Sequence, residues 1–137
     1  MKVLVVDDSA STLTIISHFI SKNEDFEVVG YTDPVKLVSE LGQLEFDIAV
    51  IDYSMPGLDG PQVMQKIRTY PKFKNVPLLV LTANADRETR LTALSNGAID
   101  FVNKPVEPIE FGLRLKNIGQ LRAAQLVLEN QAQLLSA

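Results

Sequence analysis

Cysteine and tryptophan are absent from the 137 residues, and histidine occurs once, at His18. Without cysteine there is no disulfide framework, no thiolate nucleophile and no thiolate metal ligand, so a metal site here has to be built mainly from oxygen donors. His18 falls inside a stretch of helical pattern with no second ligand beside it, which marks it as a surface or packing residue. Basic charge is also in deficit: 13 Lys and Arg against 17 Asp and Glu leave a net charge of −4, so the electrostatic footprint of a nucleic-acid or anionic-membrane binder is missing. Long apolar runs are missing too. The chain opens with Lys2, four apolar residues and then Asp7-Asp8, too short for a signal-peptide core, and no run reaches membrane-spanning length, so a cytoplasmic location is the expectation. Finally, no Gly-x-Gly-x-x-Gly follows the first apolar run, where Asp7-Asp8-Ser9 stands, and this excludes a dinucleotide-binding turn.

What is present has the size and composition of one globular domain, with 46% hydrophobic and 22% charged residues. Five short runs recur: Val3-Leu4-Val5-Val6, Val28-Val29-Gly30-Tyr31, Ile48-Ala49-Val50-Ile51, Leu78-Leu79-Val80-Leu81 and Ile99-Asp100-Phe101-Val102. Three are continuously apolar, the pattern of strands covered on both faces, and the second and fifth are less pure, as edge strands are. Helical stretches lie between them, from about Ser9 to Lys22, after the Asp33-Pro34 cap, from about Gly60 to Thr69, after Asp86, and from Glu107 onward. Gly42 is expected to close the second helix and Asn96-Gly97 the fourth. Alternation of five strands with five helices predicts an α/β, (βα)₅ doubly wound, five-stranded parallel sheet, because parallel strands need right-handed helical crossovers. In such sheets ligands sit outside the carboxyl ends of the strands, where the strand order reverses.

The residues at those ends are Asp7 and Asp8 after the first strand, Asp52 after the third, Thr82 after the fourth and Lys104 beyond the fifth. Each has a plain structural alternative. Asp8 suits a helix N-cap, Thr82 a turn hydroxyl and Lys104 a solvated surface cation. Asp52 directly follows a run that should be buried, so an acid there needs a partner. Three converging carboxylates repel one another unless a cation neutralises them, and oxygen donors alone select Mg²⁺, with Mn²⁺ or Ca²⁺ as substitutes. Lys104 and the Thr82 hydroxyl suit the remaining oxygens of a phosphoryl group, and a carboxylate nucleophile gives an acyl phosphate.

Four segments together resemble the receiver domain of two-component response regulators over roughly residues 1–120. They are Val5-Val6-Asp7-Asp8-Ser9, the stretch from Ile51-Asp52-Tyr53-Ser54 through Asp59-Gly60, Leu81-Thr82-Ala83, and Asp100-Phe101-Val102-Asn103-Lys104-Pro105. The resemblance implies a flavodoxin-like strand order 2-1-3-4-5. It implies Asp52 as phosphoryl acceptor, and Asp8, Asp52 and the Ser54 backbone carbonyl as direct Mg²⁺ ligands with Asp7 acting through water. It further implies Lys104 as partner of the phosphoryl group and a cis Lys104-Pro105 bond. Thr82 and Phe101 form the implied switch pair, although Phe101 carries no phenolic hydroxyl and is equally an ordinary core residue. Ser54 and Asn84 hold the positions that tune the acyl phosphate's lifetime. The implied phosphodonor is a phosphohistidine on a sensor histidine kinase or phosphotransfer protein. The chain is thus expected to be a signalling domain rather than an enzyme. A phosphatase of the haloacid dehalogenase type needs a second acid two residues after the nucleophile, where Ser54 stands, and a degenerate receiver acting without phosphorylation usually lacks one of the acids or the lysine.

Helix-favouring sequence continues beyond the point where a sheet-covering helix should stop, so residues 1–119 are expected to form the receiver and 120–137 a helical extension or linker. Leu121, Leu128 and Leu135 recur every seven residues, with Ile118, Gln125 and Ala132 three positions before each, a short heptad seam. The expected uses are a homodimer and continuation into an output domain. The stretch from Pro56 through Leu135 resembles receivers that precede HD-GYP cyclic-di-GMP phosphodiesterase domains or GGDEF cyclase domains, and no catalytic residue of either is present. The alternative is a tail that folds back or frays.

Overall fold

The computed structural model describes residues 1–136; Ala137, the end of the expected extension, lies outside the described residues. Five strands, β1 (Lys2–Val6), β2 (Glu27–Tyr31), β3 (Ile48–Asp52), β4 (Leu78–Thr82) and β5 (Ala98–Asn103), alternate with α1 (Ala10–Ser21), α2 (Pro34–Glu40), α3 (Gly60–Arg68), α4 (Arg87–Ser95) and α5 (Pro108–Ser136). The strands are parallel in the order β2-β1-β3-β4-β5, with β2 and β5 at the edges.

Side chains alternate through the sheet. Leu4, Val6, Ala49, Ile51, Leu78 and Val80 face one core, shared with Leu37, Val63, Met64 and Ile67 from α2 and α3. Val3, Val5, Ile48, Val50, Leu79, Leu81 and Val102 face the other, closed by Ile16 and Ile20 of α1 and Phe111, Leu115 and Ile118 of α5. Covering both faces is what the continuous apolar runs of β1, β3 and β4 require.

Side-chain caps set the helix starts. Asp33 accepts from the amides of Val35 and Lys36, Asp86 from Thr89, and Asp59 and Gln62 bond each other's backbone in a capping box. The fourth helix ends at Gly97, whose φ of 96° is left-handed. Gly42 does not end the second helix in that way. The chain tightens at Leu41–Gln43 into a 3₁₀ turn, which keeps the fully buried Leu41 in the core without a left-handed residue.

The last helix runs unbroken through Gly119 for 29 residues, and its sequence neighbours use it unequally. Ile118 is buried against the sheet, Gly119 packs against Phe26, and Arg122 is only 5% exposed. Farther along, Glu129 accepts from Asn75 Nδ2 at 3.0 Å, holding the helix to the turn before β4. The expected heptad seam is therefore split. Ile118 belongs to the domain core and Gln125 Oε1 accepts from Arg122 Nη1, whereas Leu121, Leu128 and Leu135 are exposed. No helix among the described residues is long and apolar enough to cross a membrane.

Candidate functional site

Register brings the acids together. Val6 pairs with Ile51 and Asp52 with Leu81, so Asp7, one residue beyond its strand, comes level with Asp52 at the end of the next. Thr82 pairs with Asn103, which sets Lys104 on the far side of the same end, and the Lys104 amide donates to the Thr82 carbonyl at 2.8 Å. The Lys104-Pro105 bond is cis. Asp7, Asp8, Asp52, Ser54, Thr82, Asn84 and Lys104 line a cleft of about 350 Å³.

Within it, one carboxylate oxygen each from Asp7, Asp8 and Asp52 lies within 4.8 Å of the others. Asp7 is fully buried. Its Oδ1 accepts from the Ser9 amide at 2.9 Å, while Oδ2 lies 2.9 Å from Lys104 Nζ without hydrogen-bond alignment to any donor. Asp52 is 4% exposed, with Oδ1 3.1 Å from the same ammonium. Asp8 is exposed at the mouth and does not cap the helix behind it, because Ser9 Oγ accepts from the Thr12 amide instead.

The charges are unbalanced: three carboxylates face one ammonium. Burial, followed by the charge of Asp7 and a hydrogen bond with Asp8, pushes the Asp52 carboxyl up from 3.8 to about 6, against the opposing pull of Lys104. At Lys104 burial works against the charged form, but the contacts with Asp7 and Asp52 outweigh it and hold the ammonium above its ordinary value. Hard oxygen donors, an excess of negative charge and a buried oxygen without an aligned donor together fit a small divalent cation.

The remaining expected residues divide. The Thr82 hydroxyl is held in a turn, donating to the Asn84 carbonyl at 3.0 Å and accepting from the Asn84 amide at 3.1 Å. Phe101 stands apart from the cleft, half-buried against the α3–α4 side of the core with the Arg90 guanidinium 5.9 Å from its ring centre. His18 is exposed on α1. Four contributors were not legible as such. Thr89, Tyr53 and Ala83 also line the cleft. Gly60 lets α3 start against the acceptor strand: a Cβ there would stand 2.7 Å from the Asp52 carbonyl oxygen and 2.8 Å from Tyr53 Cα. Thr89 follows Asp86 by one helical turn, a spacing that signals capping rather than cleft lining.

Known proteins share this fold. The sequence profile of the response regulator receiver domain matches residues 3–116. The chain is similar to the cyclic di-GMP phosphodiesterase response regulator RpfG of Xanthomonas campestris, 32% identical over 123 residues, covering 89% of this chain and 32% of that protein. It is 36% identical over 124 residues to the regulatory protein VanRc of Enterococcus gallinarum, covering 90% of this chain and 51% of that one. The chain thus spans about a half or less of these relatives. Among solved structures, chemotaxis protein CheY4 of Vibrio cholerae superposes with a TM-score of 0.79 at 27% identity, covering 85% of this chain and 97% of that one. The receiver domain of the sensor histidine kinase PA1611 from Pseudomonas aeruginosa, solved with a magnesium ion coordinated in its active-site cleft, gives a TM-score of 0.76 at 28% identity and covers 86% and 97%. With its fold, its acidic cleft and a profile match over most of its length, the chain belongs to the response regulator receiver domain family.

Proposed function

We propose that Asp52 accepts a phosphoryl group from a phosphohistidine on a sensor histidine kinase or phosphotransfer protein, in a Mg²⁺-dependent reaction. The observation that carries this is the pairing of a nearly buried acceptor with a single ammonium inside a cluster of three acids. Asp8, Asp52 and the Ser54 backbone carbonyl hold the metal directly and Asp7 through water. The ion supplies the positive charge that lets the acids stay ionised and offsets charge on the transferred group. Asp52 then acts as a carboxylate: its oxygen bonds to phosphorus, the P–N bond of the donor breaks, and the imidazole leaves with the electron pair and takes up a proton. Lys104 holds a phosphoryl oxygen, and the Thr82 hydroxyl leaves its turn with Asn84 to hold another. The half-buried Phe101 follows by packing alone, under the Arg90 guanidinium.

The output lies along the last helix. Residues 1–119 act as the receiver, and 120–137 form an extension that pairs two copies and leads into an output domain. The likeness to RpfG favours a cyclic-di-GMP-related output, and nothing in the charge pattern favours direct nucleic-acid binding.

Incubation with acetyl phosphate or phosphoramidate and Mg²⁺, followed by intact mass, tests the chemistry. The expected gain is about 80 Da, absent in Asp52→Asn and after chelation. No adduct at any Mg²⁺ concentration refutes the reading.

A further inference from the structure

One exposed carboxylate outside the cleft lining holds two residues that belong to it. Asp86 Oδ1 accepts from the Thr89 amide at 2.8 Å and so caps α4, while Oδ2 accepts from Asn84 Nδ2 at 3.3 Å. Hydrogen bonds from Thr89 foremost, with Asn84 and Arg90 adding to them, hold the Asp86 carboxyl below its ordinary value, so the group is ionised at neutral pH. An ionised carboxylate accepts and cannot donate, so it binds only the nitrogen end of the Asn84 amide. The carbonyl oxygen is the end left for the cleft. Two further bonds fix Asn84 through its backbone, both with the Thr82 hydroxyl, at 3.0 and 3.1 Å. When that hydroxyl moves to a phosphoryl oxygen both are lost, and the bond to Asp86 continues to hold the side chain.

We infer that Asp86 is a positioning residue for hydrolysis of the acyl phosphate on Asp52: it binds the Asn84 amide nitrogen, so that the Asn84 carbonyl oxygen faces the cleft and orients the attacking water. This rests on the reading of Asp52 as phosphoryl acceptor. Asp52 is nearly buried and Asn84 is exposed, so water reaches phosphorus in line from the mouth, on the side where Asn84 stands. The polarity of the amide decides the consequence. A carbonyl oxygen accepts from water and repels phosphoryl oxygens, whereas an amide nitrogen turned inward donates to a phosphoryl oxygen and holds the acyl phosphate in place. In the hydrolysis the water oxygen bonds to phosphorus, the bond from phosphorus to the Asp52 oxygen breaks, and Asp52 keeps that electron pair as a carboxylate. Both water protons leave on orthophosphate, so Asn84 orients the nucleophile and takes no proton. Asp86 touches neither water nor phosphorus and acts through Asn84.

The test loads the whole chain with phosphoramidate and Mg²⁺, removes the donor, and follows loss of the adduct by intact mass in Mg²⁺ buffer. Asp86→Ser keeps a favoured cap for the Thr89 amide, but its single short oxygen cannot also hold Asn84. Asp86→Asn keeps the shape and the cap and presents an amide nitrogen to Asn84, which reverses the end of Asn84 turned to the cleft. Both should slow the loss roughly fivefold, the worth of one ordinary hydrogen bond. Asn84→Ala should slow it by as much, and adding Asp86→Ser to Asn84→Ala should change it no further. Glu88→Gln, exposed in the same helical turn, removes one charge without touching the amide and should leave the rate as it is. Loss as fast as wild type or faster in both Asp86 variants overturns the inference. So does a slowing by Asp86→Ser that persists in the Asn84→Ala background, or an equal slowing by Glu88→Gln, which would make the effect one of charge. Absence of any adduct on the wild type refutes instead the acceptor reading of Asp52, and this inference falls with it.

Discussion

Lys104 and Arg122 are both cations drawn into the protein, at opposite ends of the sheet, and their surroundings have little in common. Lys104, 22% exposed, stands between two of three clustered carboxylates, one of them fully buried. Arg122 is deeper, yet its ion-pair partner Glu129 is partly exposed and its Nε has no hydrogen-bond partner. Charge at the carboxyl ends is concentrated and left unbalanced, a poor arrangement for stability and a useful one for receiving an anion with a divalent ion. Arg122, by contrast, meets one carboxylate at 3.3 Å on its own helix. The contrast predicts that removing each cation has opposite consequences.

The largest effect is expected at the cleft. Lys104→Met leaves Asp7 and Asp52 without their only ammonium, and metal-free protein at pH 8 should lose about 3 kcal/mol of unfolding free energy in urea, the low end for breaking a buried pair because Lys104 is partly solvated. If the acids bind Mg²⁺ as proposed, millimolar Mg²⁺ restores a measurable part of that loss. Unchanged stability in chelator would show that the carboxylates are not strained by one another.

Next comes pH. The folded-state pKa of Asp52, about 6, lies above the ordinary 3.8, so between those values the folded protein keeps a proton that the unfolded chain has released. Stability conferred by that proton is present at low pH, falls as pH rises from about 4 to about 6, and is gone above it. Other carboxylates titrate in the same window, so the measurement is the difference between wild type and Asp52→Asn in chelator. The wild type should lose on the order of 2 to 3 kcal/mol relative to the variant on going from pH 4 to pH 7. A flat difference rules out the raised pKa.

A pair of glycines sharpens the comparison with a smaller change. Gly60→Ala drives a methyl into the backbone of Asp52 and Tyr53, which cannot move without disturbing the cleft, and should cost about 1–3 kcal/mol and slow phosphorylation. At Gly119 a Cβ would meet only the ring edge of Phe26, at 2.9 Å, and Ala is the better helix former by about 1 kcal/mol. The expected net change there is within about 1 kcal/mol. Equal costs at the two sites, by urea denaturation, would erase the distinction between a rigid and a yielding neighbour.

How much of this was legible differs between the two ends. Strand alternation, the Asp33-Pro34 and Asp86 caps and the five polar strand ends are local patterns, and each sits where periodicity and cap chemistry put it. Gly60 was visible only as a turn residue because its constraint comes from Asp52 and Tyr53, which the fold, not the neighbouring sequence, brings onto it. The second helix does end beside Gly42, with Leu41 as its C-cap, but through a 3₁₀ turn rather than a left-handed glycine, a choice of turn that the residue type alone does not specify. The heptad count in α5 put Ile118 in the same seam as Leu121, Leu128 and Leu135, whereas Ile118 is buried in the domain core and the three leucines are exposed. Periodicity cannot tell that one side of a helix is consumed by its own domain, and an arginine is the last residue that composition would place inside. Asn75, 54 residues from Glu129, is beyond the reach of any window.

Arg122 therefore provides the smallest and most discriminating prediction. Arg122→Met keeps an unbranched stem at a buried position and removes a guanidinium whose Nε is buried without a partner. Replacing a poorly satisfied buried charge with an apolar side chain of similar length is neutral or favourable, so unfolding free energy should stay the same or rise by about 1 kcal/mol. Glu129 is left facing solvent and Asn75, where losing its cation costs little. Arg122→Ala should destabilise, because the packing of the stem is lost along with the charge. If Arg122→Met instead lost as much as Lys104→Met, the guanidinium would be an electrostatic anchor of the helix. The two ends of the sheet would then be built on the same principle.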